Sequence, residues 1–286
     1  MRYKKNKLPI TKKVIALAFF VGALPFLYCA SAHAQENKWL DDYKAPVGFT
    51  YGVQARIQPT YIWRALYAGG ANIQASANVG YGGLYLDMWW NIGVTDWTFK
   101  TFQPEVDFSL GFARWGLDIY LLYIHNFNTG FFDFHNYPGK GNRLELNVCY
   151  TVSSKLPLGI RWATRVAASD GYLNAAGDTV MAYSSYAEIN YTQRFPYGLS
   201  LYGAVGLTPW RSVYTLYRYD FGVTNIDLRL RKDWTVAEHC GLMLQGQLCI
   251  NPTLLAADKS TAEWHPYNPG NQAINANITF GIYLIK

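Results

Sequence analysis

The sequence predicts an all-β chain: a transmembrane antiparallel up-and-down β-barrel of about twelve strands. Three observations predict it. Apolar and polar residues alternate with a period of two through most of the chain. The alternating segments run to about ten residues, the length of a tilted membrane-crossing strand, whereas strands of soluble sheets are nearer five or six. The connections between them alternate short and long, as in outer-membrane barrels.

Half of the 286 residues are apolar, 17% are aromatic and only 15% are charged, a balance that excludes a disordered chain. The formal charge of +6 is local. Of the 25 Lys+Arg, six (Arg2, Lys4, Lys5, Lys7, Lys12, Lys13) precede Gln35 with no acid among them, which leaves 19 against 19 Asp+Glu beyond it. The remainder is neutral, so nucleic acid is not expected as a partner. Basic residues 1–13, an apolar run over 14–28 and the small-x-small triplet Ala32-His33-Ala34 form the pattern of a secretory signal peptide. Residues 1–34 are expected to be removed, 35–48 to form a periplasmic segment and 49–286 to form the barrel. Cys149, Cys240 and Cys249 lack the spacing of a zinc or redox pair, and no metal or cofactor is expected.

The strands follow in order. Residues 49–58 set Tyr51, Val53, Ala55 and Ile57 against Gln54, Arg56 and Gln58. Residues 71–81 separate Ile73, Ala75, Ala77 and Val79 from Asn72, Gln74, Ser76 and Asn78. Residues 84–92 oppose Leu84, Leu86, Met88, Trp90 and Ile92 to Tyr85, Asp87, Trp89 and Asn91. Next, Val106, Phe108, Leu110 and Phe112 oppose Glu105, Asp107 and Ser109. Residues 117–124 alternate less cleanly, because Leu122 and Ile124 share the face of Asp118 and Tyr120. Leu144, Leu146, Val148 and Tyr150 then oppose Arg143, Glu145, Asn147 and Cys149.

In the second half, Leu158, Ile160, Trp162 and Val166 oppose Arg161 and Arg165, and Tyr183, Ala187, Ile189 and Tyr191 oppose Ser184, Tyr186, Glu188 and Asn190. Residues 199–207 form the ninth segment. Ile226, Leu228 and Leu230 oppose Asn225, Asp227, Arg229 and Arg231, while Leu242, Leu244, Leu248 and Ile250 oppose Gln245, Gln247 and Cys249. The last segment alternates without a fault from Ile274 to Leu284.

Tight links fall at 82–83, 113–116, 153–157, 194–198 and 232–241; long ones fall at 59–70, 93–102, 125–141, 168–181, 208–221 and 251–273. An even strand number with this alternation predicts both termini on the periplasmic side. In lipid the backbone must satisfy its own hydrogen bonds, so the strands must close and the polar face must line a lumen. A soluble β-sandwich also alternates, but it leaves Trp63, Trp97, Trp115, Trp162, Trp210, Trp234 and Trp264, all at or near strand ends or in loops, without the interfacial role a barrel gives them.

The block Tyr61-Ile62-Trp63-Arg64, the hairpin over 71–92 with Gly83, Tyr85 and Trp89 in Gly-x-Tyr-x-x-x-Trp spacing, and Pro104-Glu105-Val106-Asp107 resemble the TorF-type porin family of Gram-negative outer membranes. The match covers roughly the first third of the mature chain. It implies an outer-membrane barrel that passes solutes. Two departures are Ala65, where the pattern calls for Gly after Arg64, and Ile285-Lys286, where such chains end on an aromatic residue.

Catalysis by a lipid-acting barrel enzyme would need a Ser nucleophile with a His base. His125, His135, His239 and His265 have no inward Ser two residues away, and no Gly-x-Ser-x-Gly occurs, so no enzyme is expected. His125, His135 and Asp133 share one loop and read as solvated side chains. The aromatic loop residues Phe127, Phe131, Phe132, Phe134 and Tyr137, and Trp210, Tyr214, Tyr217 and Tyr219, read as exposed recognition or girdle positions.

The inward charges are the candidate site. Asp87, Glu105, Asp107 and Asp118 fall on one part of the wall and Arg143, Arg161 and Arg165 on the next, with Glu188, Asp227 and Arg229 beyond. Asp107, Arg165, Glu188 and Asp227 are expected near mid-depth. Segregated acid and base would make a transverse field that selects among polar solutes. The expected function is a porin or channel for small polar solutes, embedded in outer-membrane lipid. The alternatives are a non-conducting structural or partner-binding barrel and, further behind, a lipid-acting enzyme.

Overall fold

The computed structural model describes residues 48–94, 104–126, 130–134, 142–168, 170–174, 176–257 and 272–285. The signal-peptide and periplasmic-segment readings (1–47), Trp97, Phe127, His135, Tyr137, Trp264 and His265 lie outside them.

Alternation with a period of two makes ribbons with one apolar and one polar face, and closing them removes both edges. The first ribbon, β1 (Phe49–Gln58), is followed by a short hairpin of β2 (Tyr61–Trp63) and β3 (Leu66–Gly69). Then come β4 (Asn72–Tyr81), β5 (Leu84–Gly93), β6 (Glu105–Arg114), β7 (Leu117–Asn126), β8 (Arg143–Thr151) and β9 (Leu158–Ala168). A second small hairpin, β10 (Gly171–Leu173) and β11 (Thr179–Met181), precedes β12 (Ser185–Phe195) and β13 (Leu199–Thr208). The chain ends with β14 (Gly222–Ala237), β15 (Cys240–Ile250), the short helix α1 (Pro252–Ala256) and β16 (Ile274–Ile285).

Twelve of these strands close in the ring β1-β16-β15-β14-β13-β12-β9-β8-β7-β6-β5-β4, antiparallel throughout. The seam pairs the two ends of the barrel, Gly52 with Ile285 and Ile57 with Phe280. The expected fold class and strand number are therefore found. Both barrel termini lie at the mouth that carries the short turns.

The polar face turns inward along the wall. Gln54, Gln58, Asn72, Gln74 and Ser76 are buried, whereas Ile57, Leu86, Leu110, Ile160, Ile189 and Ile278 stand on the outside. An outer wall of this kind suits hydrocarbon, which costs nothing to meet apolar side chains. Leu122 and Ile124, which share the polar face of β7, are buried in the lumen beside Tyr120. No described helix is long and apolar enough to cross a membrane.

Two short turns use paired left-handed residues, Gly82-Gly83 and Trp115-Gly116, the pattern of two-residue hairpins whose twist matches the strands. Glycines also seat rings on the inner wall. A Cβ on Gly111 would fall 2.5 Å from the ring of Tyr85, its register partner on β5. Gly241 faces Tyr283 in the same way across β15 and β16.

One expected boundary moves. The segment 232–241, expected as a link, continues the β14–β15 ladder through Lys232–Leu244 and Trp234–Leu242, and the chain turns only at Glu238 and His239. The charges of Lys232 and Asp233 broke the pattern in the sequence, but a strand that projects past the apolar belt meets water on both faces and needs no alternation.

Candidate lumen site

The largest departure from the expected layout is inside the barrel. Residues 59–70, expected as a long external loop, contain the β2–β3 hairpin, whose tip is folded into the lumen. Arg64 and Ala65 at the tip are both left-handed, with φ of 49° and 59°. This is the two-residue hairpin turn, made here without glycine. The carbonyl of Ala65 accepts a hydrogen bond from Asn275 Nδ2 on β16 at 3.2 Å, which ties the tip to the wall.

Arg64 sets the chemistry of the plug. Its guanidinium donates to both carboxylate oxygens of Glu145 on β8, at 2.7 and 2.9 Å, and also to the Tyr214 hydroxyl and to Asn147. Three rings surround it: Trp63 at 4.8 Å, Tyr186 at 4.7 Å and Tyr214 at 5.5 Å from their centroids. Burial lowers the affinity of Arg64 for its proton, but the Glu145 carboxylate outweighs it and raises the pKa. Tyr61, at the base of the hairpin, donates to Glu105 at 2.7 Å. Burial first, and Glu105 second, push the Tyr61 phenol well above its ordinary value, so it stays a neutral donor.

The connection after β13 folds inward too. Tyr214, expected as an exposed loop aromatic, is fully buried with Val213 and Leu216 against Leu66 and Leu254. Ser212 caps the turn by accepting from Tyr214 N at 3.2 Å, and Ser184 Oγ accepts from Val213 N at 2.8 Å. Helix α1 starts at Pro252 with Asn251 accepting from Leu254 N, and Asn251 also donates to the Tyr214 carbonyl. Trp63, expected in the interfacial girdle, instead packs against Tyr214 inside the lumen, the two rings tilted with centroids 5.4 Å apart. The long-loop half of the lumen is thus filled by the hairpin, the 212–217 turn and α1.

The sequence-designated charges divide into groups. Arg165 is not near mid-depth: it lies toward the long-loop end of β9, wholly buried, and pairs with Asp170 at 3.1 Å. Asp170 also accepts from Ser184 Oγ at 2.6 Å, Ser184 N at 2.6 Å and Tyr217 at 2.7 Å, so it pins both inward loops. Glu188 accepts from Tyr202 at 2.8 Å, from Asn190 at 3.0 Å and from Tyr186. Asp227 receives Arg229 Nε at 2.8 Å and Gln247 at 3.1 Å, and Asp118 receives Tyr85 at 2.8 Å. Asp87, Asp107 and Arg143 are buried on the inner wall. Asp227 pairs with Arg229 and Glu145 with Arg64, and Glu145, set among the arginines of β8 and β9, interrupts the expected separation of acid from base.

Below the plug lies a small polar chamber, open on one side, with about 180 Å³ of room for water. The hairpin tip forms its roof through Tyr61, Ile62, Trp63 and Arg64. Its walls carry Arg56, Gln58, Gln74, Trp89, Asp107, Tyr120, Leu122, Arg161, Arg229, Gln245 and Gln247. Four charged participants, Arg56, Arg64, Glu145 and Asp170, stand outside the sequence-designated set; Arg64 entered only as part of the Tyr61–Arg64 motif. Glu145 and Arg56 were placed on polar faces, and their inward phase was the available signal; Asp170 sits in a connection without periodicity and gave none.

On the outer wall, Phe131, Phe132 and Phe134 gather around Tyr123 with ring centroids 5.2 to 5.9 Å away. His125, read as a solvated loop residue, is buried there, 2.8 Å from Asn142. Among the described residues no group of His, Cys, Asp and Glu is arranged to hold a metal.

No family model and no curated protein matches the chain, so the TorF-type resemblance rests on its motifs alone. Similar solved structures include an outer membrane channel from Pseudomonas putida F1, 11% identical, with 86% of this chain and 98% of that one covered and a TM-score of 0.44. They also include the NanC porin, 8% identical, with 81% and 98% covered and a TM-score of 0.45.

Proposed function

We propose that the chain is an outer-membrane channel for small polar solutes, with its short turns and termini toward the periplasm and its long connections outside. The observation that carries this reading is the chamber: water-accommodating space, walled by Gln, Arg, Tyr and Asp, enclosed by a barrel whose outer face is apolar. A wall that only needed filling would be closed by packed side chains, as in eight-stranded barrels. The signal-peptide pattern read over 1–34 and the first-third likeness to TorF-type porins support the same location and role.

A second reading has its own observation. The hairpin tip, the 212–217 turn and α1 fill the long-loop half of the lumen, as a non-conducting structural barrel would require. A lipid-acting enzyme is not supported by the described histidines: His125 faces the outer wall beside Asn142, and His239 stands on an exposed turn beside Glu238.

Liposome swelling decides between them. Proteoliposomes of the mature chain are expected to swell in glucose and small amino acids, and to swell faster when the hairpin is loosened. No swelling in either case would leave the non-conducting barrel.

A further inference from the structure

Roof and walls together line the chamber with four arginines and one carboxylate, Asp107. Two arginines are answered by wall or roof partners, Arg64 by Glu145 and Arg229 by Asp227. Arg56 and Arg161 are not: among the described residues neither forms an ion pair. Arg56 uses its Nε to reach Gln74 Oε1 at 2.6 Å, which is a neutral acceptor. Arg161 has a buried Nε without a hydrogen-bond partner; its register neighbour Glu188 lies close enough to act on its charge but forms no ion pair with it, its oxygens being held by Tyr186, Tyr202 and Asn190.

Both guanidinium groups line the same chamber. Their strands, β1 and β9, stand diametrically opposite in the ring of twelve. Two positive groups that face one enclosed space from opposite walls both attract an anion placed between them. Guanidinium is the side chain best matched to the paired oxygens of carboxylate and phosphate.

We propose that Arg56 and Arg161 form an anion-binding site in the lumen for small solutes bearing a carboxylate or phosphate. This assigns a solute class to the channel proposed above; its role in passage rests on that reading, whereas binding does not.

The test is calorimetric titration of the refolded barrel, in a detergent with an uncharged headgroup, with inorganic phosphate, gluconate and glucose. Phosphate and gluconate are expected to bind and glucose not to. Arg56→Gln and Arg161→Gln should each weaken phosphate by about tenfold or more, the loss of one charge-assisted contact. Arg161→Lys keeps the charge and should retain most of the binding. Lys155→Gln, on an exposed short turn, should bind as the unaltered barrel does. Folding of each variant is checked by heat-modifiable migration.

A folded barrel that takes up no phosphate, or variants that bind as the parent does, would overturn the site. Swelling runs independently: swelling without anion binding removes the site and keeps the channel, and anion binding without swelling does the reverse.

Discussion

Arg64 and Glu145, 81 residues apart in the chain, meet inside the lumen as a two-pronged ion pair, with Nη to Oε distances of 2.7 and 2.9 Å. Arg64 belongs to a hairpin that takes no part in the wall, and Glu145 belongs to the wall. The pair, caged by Trp63, Tyr186 and Tyr214, fastens the plug to the barrel.

Removing one partner of such a pair leaves a buried charge uncompensated, at a cost of about 3 to 5 kcal/mol. Glu145→Ala is therefore expected to lower the temperature of heat-modifiable unfolding and to release the hairpin. Single-channel conductance in planar bilayers should rise over that of the parent. An unchanged conductance with an unchanged melting temperature would mean that the pair does not hold the plug.

Ala65 occupies a left-handed conformation at φ 59° that glycine adopts without a Cβ penalty. Ala65→Gly should stabilise the hairpin by about 1 kcal/mol, since L residues with a Cβ lose roughly that much there. Conductance would then fall or stay level, and the heat-modification midpoint would rise. A lower midpoint would show that the methyl group's packing in its buried site outweighs the relief of strain.

Asp170 binds Arg165, Ser184 and Tyr217 at once, so one carboxylate holds two inward connections. Asp170→Ala is expected to make the 171–181 hairpin and the 212–217 turn cleavable by protease added to whole cells. The wall itself should survive, because its ladders do not pass through Asp170.

The inward charges differ in what they do. Asp107 lines the chamber, so Asp107→Asn should move the planar-bilayer reversal potential toward anion preference. Arg165 is walled off at 0% exposure beneath the loops. Arg165→Ala should reduce stability by about 3 to 5 kcal/mol and leave the reversal potential of a folded pore where it was. A shift with Arg165→Ala as large as with Asp107→Asn would place Arg165 on the solute path.

Gly206 leaves room for the Tyr186 ring; a Cβ there would collide with its hydroxyl oxygen. Tyr186 in turn bonds Glu188 and Asn225 and forms part of the Arg64 cage. Gly206→Ala should therefore displace Tyr186 and cost about 1 to 3 kcal/mol, the usual range for overpacking. The change should also raise conductance by loosening the cage.

The wall was determined by the sequence alone. A strand has two faces and a period of two, so placing Gln54, Asp87, Asp107, Glu145 or Arg229 on the polar phase places it in the lumen, and an apolar outer face in lipid forces the ring to close. Even the weak seventh strand of the fold kept its phase, with Leu122 and Ile124 carried inward because Asp118 and Tyr120 share their face. What the tertiary structure decided is the content of the lumen. Residues 61–69 and 212–217 obey no period, and their positions follow from partners far away in the chain: Asn275 for Ala65, Glu145 for Arg64, Asn251 for Tyr214. The same distance explains Asp170 and the pair Arg56 and Arg161. Whether a lumen charge has a partner depends on which side chains converge from different strands and loops, and that convergence exists only once the barrel has closed.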